Sequence, residues 1–86
     1  MYKIELTKLA RKAYLKLPER VRKAIHEKLN ALAEAPFAPH HDVKFLQGTK
    51  DCYRLRVSDW RVVYRLHNHI MVIEVIKIAH RKEVYR

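Results

Sequence analysis

A single glycine, a single cysteine and three prolines are all that this 86-residue chain holds of the residues that usually mark flexible loops, disulfides and linkers. One glycine leaves no room for a glycine-rich phosphate loop or a disordered spacer. One cysteine excludes an internal disulfide framework and suits a reducing cytoplasm. No long apolar run exists either. The longest, "IMVIEVIKI", is interrupted by Glu74 and Lys77, so no membrane span is expected. The opening "MYKIELTKLARKAYLKL" has charges too closely spaced for a signal peptide. Paired carboxylates at helical spacing and zinc-ligand patterns are also missing. No metal or cofactor is expected.

What is scarcest is negative charge. Nine acidic residues face nineteen lysines and arginines, a formal net charge of +10. Such an excess favours polyanionic partners, chiefly nucleic acid, or an acidic protein segment. A generally basic solvated surface is the competing reading. Residues 1–49 carry ten basic and five acidic side chains, and residues 50–86 carry nine and four. Any concentration of charge must therefore come from folding.

Hydrophobic residues make up 49% of the chain, enough for the core of one domain over residues 1–86. "YKIEL" alternates and predicts a short first strand, with Thr7 placed to cap a helix. Leu6, Leu9, Ala10, Ala13, Tyr14 and Leu17 then form one apolar stripe. Pro18 suits the first turn of a second helix, whose stripe is Val21, Ala24, Ile25, Leu29, Leu32 and Ala33. So short a link predicts an antiparallel helix pair. Gly48 fits a turn of positive φ. "CYRLRV", "WRVVYRL" and "IMVIEVIKI" read as three further strands, the last central. The expected class is α+β: a strand, two helices, then a mainly antiparallel sheet packed against them.

Period-2 patterning fixes how the hairpin faces. Tyr53, Leu55 and Val57 share one side with Trp60, Val62, Tyr64 and Leu66. With Ser58-Asp59 as the turn, Arg56 lies opposite Arg61 and Arg54 opposite Val63. Cys52, Arg54, Arg56, Arg61, Val63 and Arg65 then share the open side. Like charges placed opposite one another cost a ladder up to roughly 1 kcal/mol. A local violation of this kind tends to mark a functional site. Guanidinium forks pair bidentately with phosphate oxygens. The bland alternative is a solvated face with the arginines splayed apart.

The tail "AHRKEVYR" adds His80, Arg81 and Tyr85. Metal-free RNA cleavage needs the 2′-hydroxyl to lose a proton, the phosphorane charge to be held, and the 5′-oxygen to gain a proton. Arginines suit the second task, and histidine or tyrosine the first and third. The adjacent His40 and His41 read as loop histidines, and Cys52 as a packing thiol. Lys12, Lys16, Arg22 and Lys23 on the helices are expected to add affinity for RNA, as is Arg65.

In "VKFLQGTKDCYRLRVSDWRVVYRL" and "IKIAHRKEVYR", and in the order of its elements, nearly the whole chain resembles the RelE/ParE superfamily of bacterial and archaeal toxins. The resemblance implies one of two activities. RelE-like members are ribosome-dependent endoribonucleases that cut mRNA in the ribosomal A site. ParE-like members inhibit DNA gyrase and generally lack the catalytic set. It further implies that Arg54 and Arg56 bind and activate the phosphate region, that Arg61 stabilises the transition state, and that Arg81 and Tyr85 complete the site. Some members carry lysines where this chain has Arg54 and Arg56. Arginine is a poor proton acceptor, which leaves the general base open, with His80 as one candidate. The implied partners are a cognate antitoxin with an acidic or amphipathic segment, and the ribosome with its mRNA and rRNA. A third reading is an inactive RNA-binding module. It would display aromatics on its open sheet face, whereas here they fall on the covered one.

Overall fold

The computed structural model describes residues 1–83. Strand β1 (Lys3–Leu6) leads into helix α1 (Lys8–Lys16), then helix α2 (Glu19–Glu34), followed by β2 (Val43–Phe45), β3 (Cys52–Val57), β4 (Trp60–His67) and β5 (Val72–His80). The five strands form one sheet in the order β1-β5-β4-β3-β2. β1 runs parallel to β5, and the other neighbours are antiparallel. The chain therefore returns its last long strand to the interior of the sheet, between β1 and β4, and β4 is the central strand.

Thr7 does two jobs at the first junction. Its Oγ1 accepts from the Ala10 amide at 3.2 Å, capping α1, and its hydroxyl donates to the Ile76 carbonyl at 3.1 Å. Pro18 stands one place earlier than the sequence predicts, at the cap of α2, where its carbonyl accepts from the Val21 and Arg22 amides at 3.0 Å each. Having no side-chain acceptor, it caps through its backbone alone. At the end of α1, the Arg22 guanidinium donates to the Leu15 and Leu17 carbonyls at 3.4 and 3.0 Å. A cation at a helix C-terminus both fills orphan acceptors and opposes the helix dipole.

Both helices lie on one side of the sheet. Ile25, Leu29 and Leu32 of α2 and Ala10 of α1 join Leu55, Val57, Val62, Tyr64, Leu66, Ile73, Val75 and Ile78 in one core. Leu9, expected on the buried stripe, is 70% exposed. The seated set is Ala10, Ala13, Tyr14 and Leu17, with Tyr14 four residues after Ala10 and Leu17 four after Ala13. Leu9 stands one residue, about 100°, off that line.

Two features of the sheet escape the alternation rule. β2 is an additional strand, only three residues long, and Lys44 and Phe45 in it are exposed. β5 carries a bulge: Val63 pairs with Lys77 but Tyr64 pairs with Val75, so Ile76 is the extra residue. The hairpin turn is the expected one. Val57 pairs with Trp60, Arg56 with Arg61 and Arg54 with Val63. Ser58 adopts φ 55° and Gly48 φ 77°.

Candidate nucleic-acid interface

On the face away from the helices, the strand registers set out rows of side chains. Lys44, Arg54, Val63 and Lys77 form one row, and Arg56, Arg61 and Ala79 the next. A third row holds Cys52, Arg65 and Glu74. The expected open face is present, and it is more basic than alternation indicates. Lys44 was hidden in a strand too short to show a period. Lys77 was hidden by the bulge. Strict alternation from Glu74 would turn Lys77 toward the helices, and the extra Ile76 restores it to the open side.

Asp42, just before β2, is the counterweight to this charge. Its carboxylate accepts from the Lys28 ammonium and, at 3.3 Å, from Arg56 Nη2. Its carbonyl accepts from the Arg56 amide at 2.8 Å. The Lys28 hydrogen bond holds the Asp42 carboxyl below the usual carboxylate range, helped by the charges of Lys28 and Arg56 and opposed by partial burial. Arg56 is thereby fixed from one side while Arg61 faces it from the other. Arg61 turns its guanidinium to the hairpin end, where Nη1 donates to the Ser58 and Trp60 carbonyls at 2.9 and 3.0 Å.

Arg81 reaches the same turn. Its amide donates to the Asp59 carbonyl at 2.7 Å, and its guanidinium lies 3.7 Å from the Asp59 carboxylate. The residues Ser58 and Asp59 thus gather Arg61 and Arg81 at one end of the basic face. Tyr85 lies outside the described residues. His80 is not brought onto this face. It pairs with Trp60 in the ladder, and its ring stands edge-on to the Trp60 indole at 5.4 Å, on the helix side. Its Nδ1 accepts from the Lys82 amide at 3.3 Å.

Two hollows open beside these side chains. The smaller, about 150 Å³, is lined by His41, Asp42, Lys44, Arg54 and Arg56. The larger, about 480 Å³, includes Lys50, Arg65, His67 and His69. Arg65 therefore belongs with a second group, further along β4 from Arg61. His67 there shares a 3.0 Å hydrogen bond with Glu74. Lys12, Lys16 and Lys23 are exposed on the helix layer, away from the arginine rows, and Lys23 pairs with Glu19 at 3.4 Å. Arg22 is committed to the end of α1.

The aromatic residues confirm the division of faces. Tyr53 stacks on Tyr64 with centroids 5.5 Å apart, on the covered side. Burial pushes the Tyr64 hydroxyl up from its ordinary value, reinforced by neighbouring Tyr53. The open face is a charged surface and not a stacking platform. Among the described residues, no helix is long and apolar enough to cross a membrane.

The family model for the ParE toxin of the type II toxin–antitoxin system parDE matches residues 4–85. The mRNA interferase toxin RelE of Escherichia coli K12 is 33% identical over 88 residues, spanning 98% of this chain and 90% of that protein. A putative RelE-like toxin protein of E. coli is 29% identical, over 94% of this chain and 84% of its own length. Among solved structures, the isolated E. coli RelE toxin matches with TM-score 0.82 and 31% identity, covering 99% of this chain and 92% of that one. RelE in the archaeal RelE–RelB complex from Pyrococcus horikoshii matches with TM-score 0.81 and 31% identity, covering 96% and 98%. With a family model matched over nearly its full length and RelE proteins as its relatives in sequence and fold, the chain belongs to the ParE toxin family of type II toxin–antitoxin systems and is a RelE-like toxin.

Proposed function

We propose that this toxin is an endoribonuclease that cuts mRNA held in the ribosomal A site. The observation that carries this reading is the opposition of Arg56 and Arg61 in a face that also holds Arg54, Lys44 and Lys77. A ladder that keeps two like charges opposite each other gains from an anion placed between them. Arg54 and Arg56 grip the scissile phosphate and Arg61 stabilises the charge that develops on the phosphorane. Arg81, gathered at the same turn, and Tyr85 complete the site. The 2′-oxygen attacks phosphorus and the 5′-oxygen departs. Arg65 and the helix residues Lys12, Lys16 and Lys23 supply affinity for the surrounding RNA, while Arg22 is engaged at the end of α1.

The same charge suits a cognate antitoxin with an acidic or amphipathic segment. RelE of E. coli and of P. horikoshii have each been solved in complex with an antitoxin, RelB. The reading places the protein in the cytoplasm, where translating ribosomes are found.

The test compares naked mRNA with the same mRNA held in a ribosome, each incubated with purified toxin. Cleavage confined to the ribosome-bound message is the expected result. Equal cutting of both would remove the ribosome from the reading. Gyrase inhibition without any cutting would replace it with the inhibitor activity.

A further inference from the structure

Arginine at both Arg54 and Arg56 leaves the proton transfers unassigned, since a guanidinium does not give up its proton in a protein. We propose that His41 is the general base of the cleavage and Lys44 the acid that protonates the leaving oxygen. This rests on the endoribonuclease reading and names the residues that move its protons.

The smaller hollow is where the candidate groups meet. Its five lining residues are His41, Asp42, Lys44, Arg54 and Arg56. Its volume, about 150 Å³, is on the scale of one phosphodiester group. The two arginines that grip phosphate in the proposed reaction are therefore in its wall. Of the other three, Asp42 is occupied by Lys28 and Arg56. A carboxylate held below its ordinary range is a weak proton acceptor. His41 and Lys44 remain, an imidazole of the type that serves as a general base and an ammonium that carries protons to give.

The position of His41 is set by its neighbours. The His40 carbonyl accepts from the Val43 amide at 3.2 Å, and the Asp42 carbonyl accepts from the Arg56 amide at 2.8 Å. His41 sits between these two anchored residues. The adjacent imidazole is otherwise engaged, with His40 Nε2 at 2.8 Å from the Ala35 carbonyl. His41 makes no side-chain hydrogen bond among the described residues, so its ring nitrogens are available to substrate. Lys44 is fixed by the strand register, directly beside Arg54. His80 competes for the same role, but it faces the helix side against Trp60.

Neutral His41 takes the proton of the 2′-hydroxyl. The freed oxygen pair forms the new bond to phosphorus, and the bond from phosphorus to the 5′-oxygen breaks with its pair on that oxygen. The Lys44 ammonium protonates it. The products are a 2′,3′-cyclic phosphate and a 5′-hydroxyl, with His41 protonated and Lys44 neutral until solvent resets them.

The experiment is single-turnover cleavage on mRNA-programmed ribosomes at saturating toxin, from pH 5 to 9, for wild type, His41→Gln, Lys44→Ala and His80→Gln. His41→Gln is expected to lose about 10²-fold or more in rate. It should also lose the fall in rate at low pH that a protonating base produces. Ribosome binding and thermal midpoint should stay at wild-type values, and added imidazole should restore part of the rate. Lys44→Ala should be slow on ordinary mRNA and near wild type on a message with sulfur in place of the scissile 5′-oxygen, a leaving group that needs no acid. Wild-type rate and pH profile in His41→Gln would overturn the base assignment, and a Lys44→Ala defect that persists with the sulfur linkage would overturn the acid. A wild-type toxin that cuts nothing on ribosomes overturns the enzyme reading itself, and both assignments with it.

Discussion

Arg56 and Arg61 are Cα partners across the β3–β4 ladder, with Asp42 bonded to the first and the Ser58 and Trp60 carbonyls to the second. Removing Arg61 therefore has two opposed effects on stability: it relieves a like-charge contact and frees two turn carbonyls. Each is worth roughly 1 kcal/mol or less. Arg61→Ala should keep a thermal midpoint within a few degrees of wild type. Its mRNA cleavage should fall about 10²- to 10³-fold, the usual effect of deleting a transition-state donor. A folded variant with full activity would take Arg61 out of the site.

Asp42 makes the fold acid-sensitive in a definable window. Its carboxyl titrates below the usual value, first because Lys28 donates to it. A depressed folded-state value adds stability that is fully present above the unfolded value, about 3.9. That increment is lost as pH falls through the folded value. Asp42→Asn should be less stable than wild type at pH 7, and the gap should close as the pH is lowered into that window. Denaturant midpoints measured at pH 7, 5 and 3 check this. A gap that is constant across the series would show that the ion pairs contribute nothing.

Arg22 was grouped by its charge with Lys12, Lys16 and Lys23, and the structure separates it. Arg22→Ala should lower stability by about 0.5–1.5 kcal/mol, because two carbonyls at the end of α1 lose their donor. Alanine at Lys12, Lys16 or Lys23 should stay within about 0.5 kcal/mol of wild type. The same three substitutions should weaken ribosome binding and flatten its salt dependence while leaving the saturating cleavage rate intact. Thermal melts and binding at two salt concentrations distinguish the two kinds of residue.

Thr7 links the helix layer to the bulge. Thr7→Ala removes a cap worth about 1 kcal/mol and a hydrogen bond to the Ile76 carbonyl, worth about another 1. Calorimetry should show a midpoint lower by several degrees. Amide exchange should quicken at Ile76 and Lys77 more than in β3. Uniform acceleration through the sheet would mean that the bulge does not depend on this bond.

The hairpin was readable because its two apolar sets are unbroken at every second residue and only two residues join them. Tyr53, Leu55 and Val57 admit one pairing with Trp60, Val62 and Tyr64, and the arginines follow. The bulge was not readable. Nothing in "VIEVIKI" announces that Ile76 is counted twice, since a residue of either phase is apolar there. β2 failed for the opposite reason, having three residues and two exposed side chains. Asp42 was one acidic residue in a loop until folding set it between Lys28 and Arg56. The sequence pointed to His80 as a candidate base and set His41 aside as a loop histidine. Only the ladder, which puts it opposite Trp60, and the loop, which puts His41 beside Arg56, tell them apart.

The two outer strands of the sheet are its shorter ones, four residues in β1 and three in β2, against eight and nine in β4 and β5. An exposed edge is a template for pairing with another copy, and brevity is one way to blunt it. Lys44 adds positive charge to the β2 edge, whereas Lys3 in β1 is paired with Glu5 at 3.7 Å. A second copy approaching β2 meets few unpaired amides and a like-charged lysine, and one approaching β1 meets an edge only four residues long, so both ends of the sheet are poor templates for further strands.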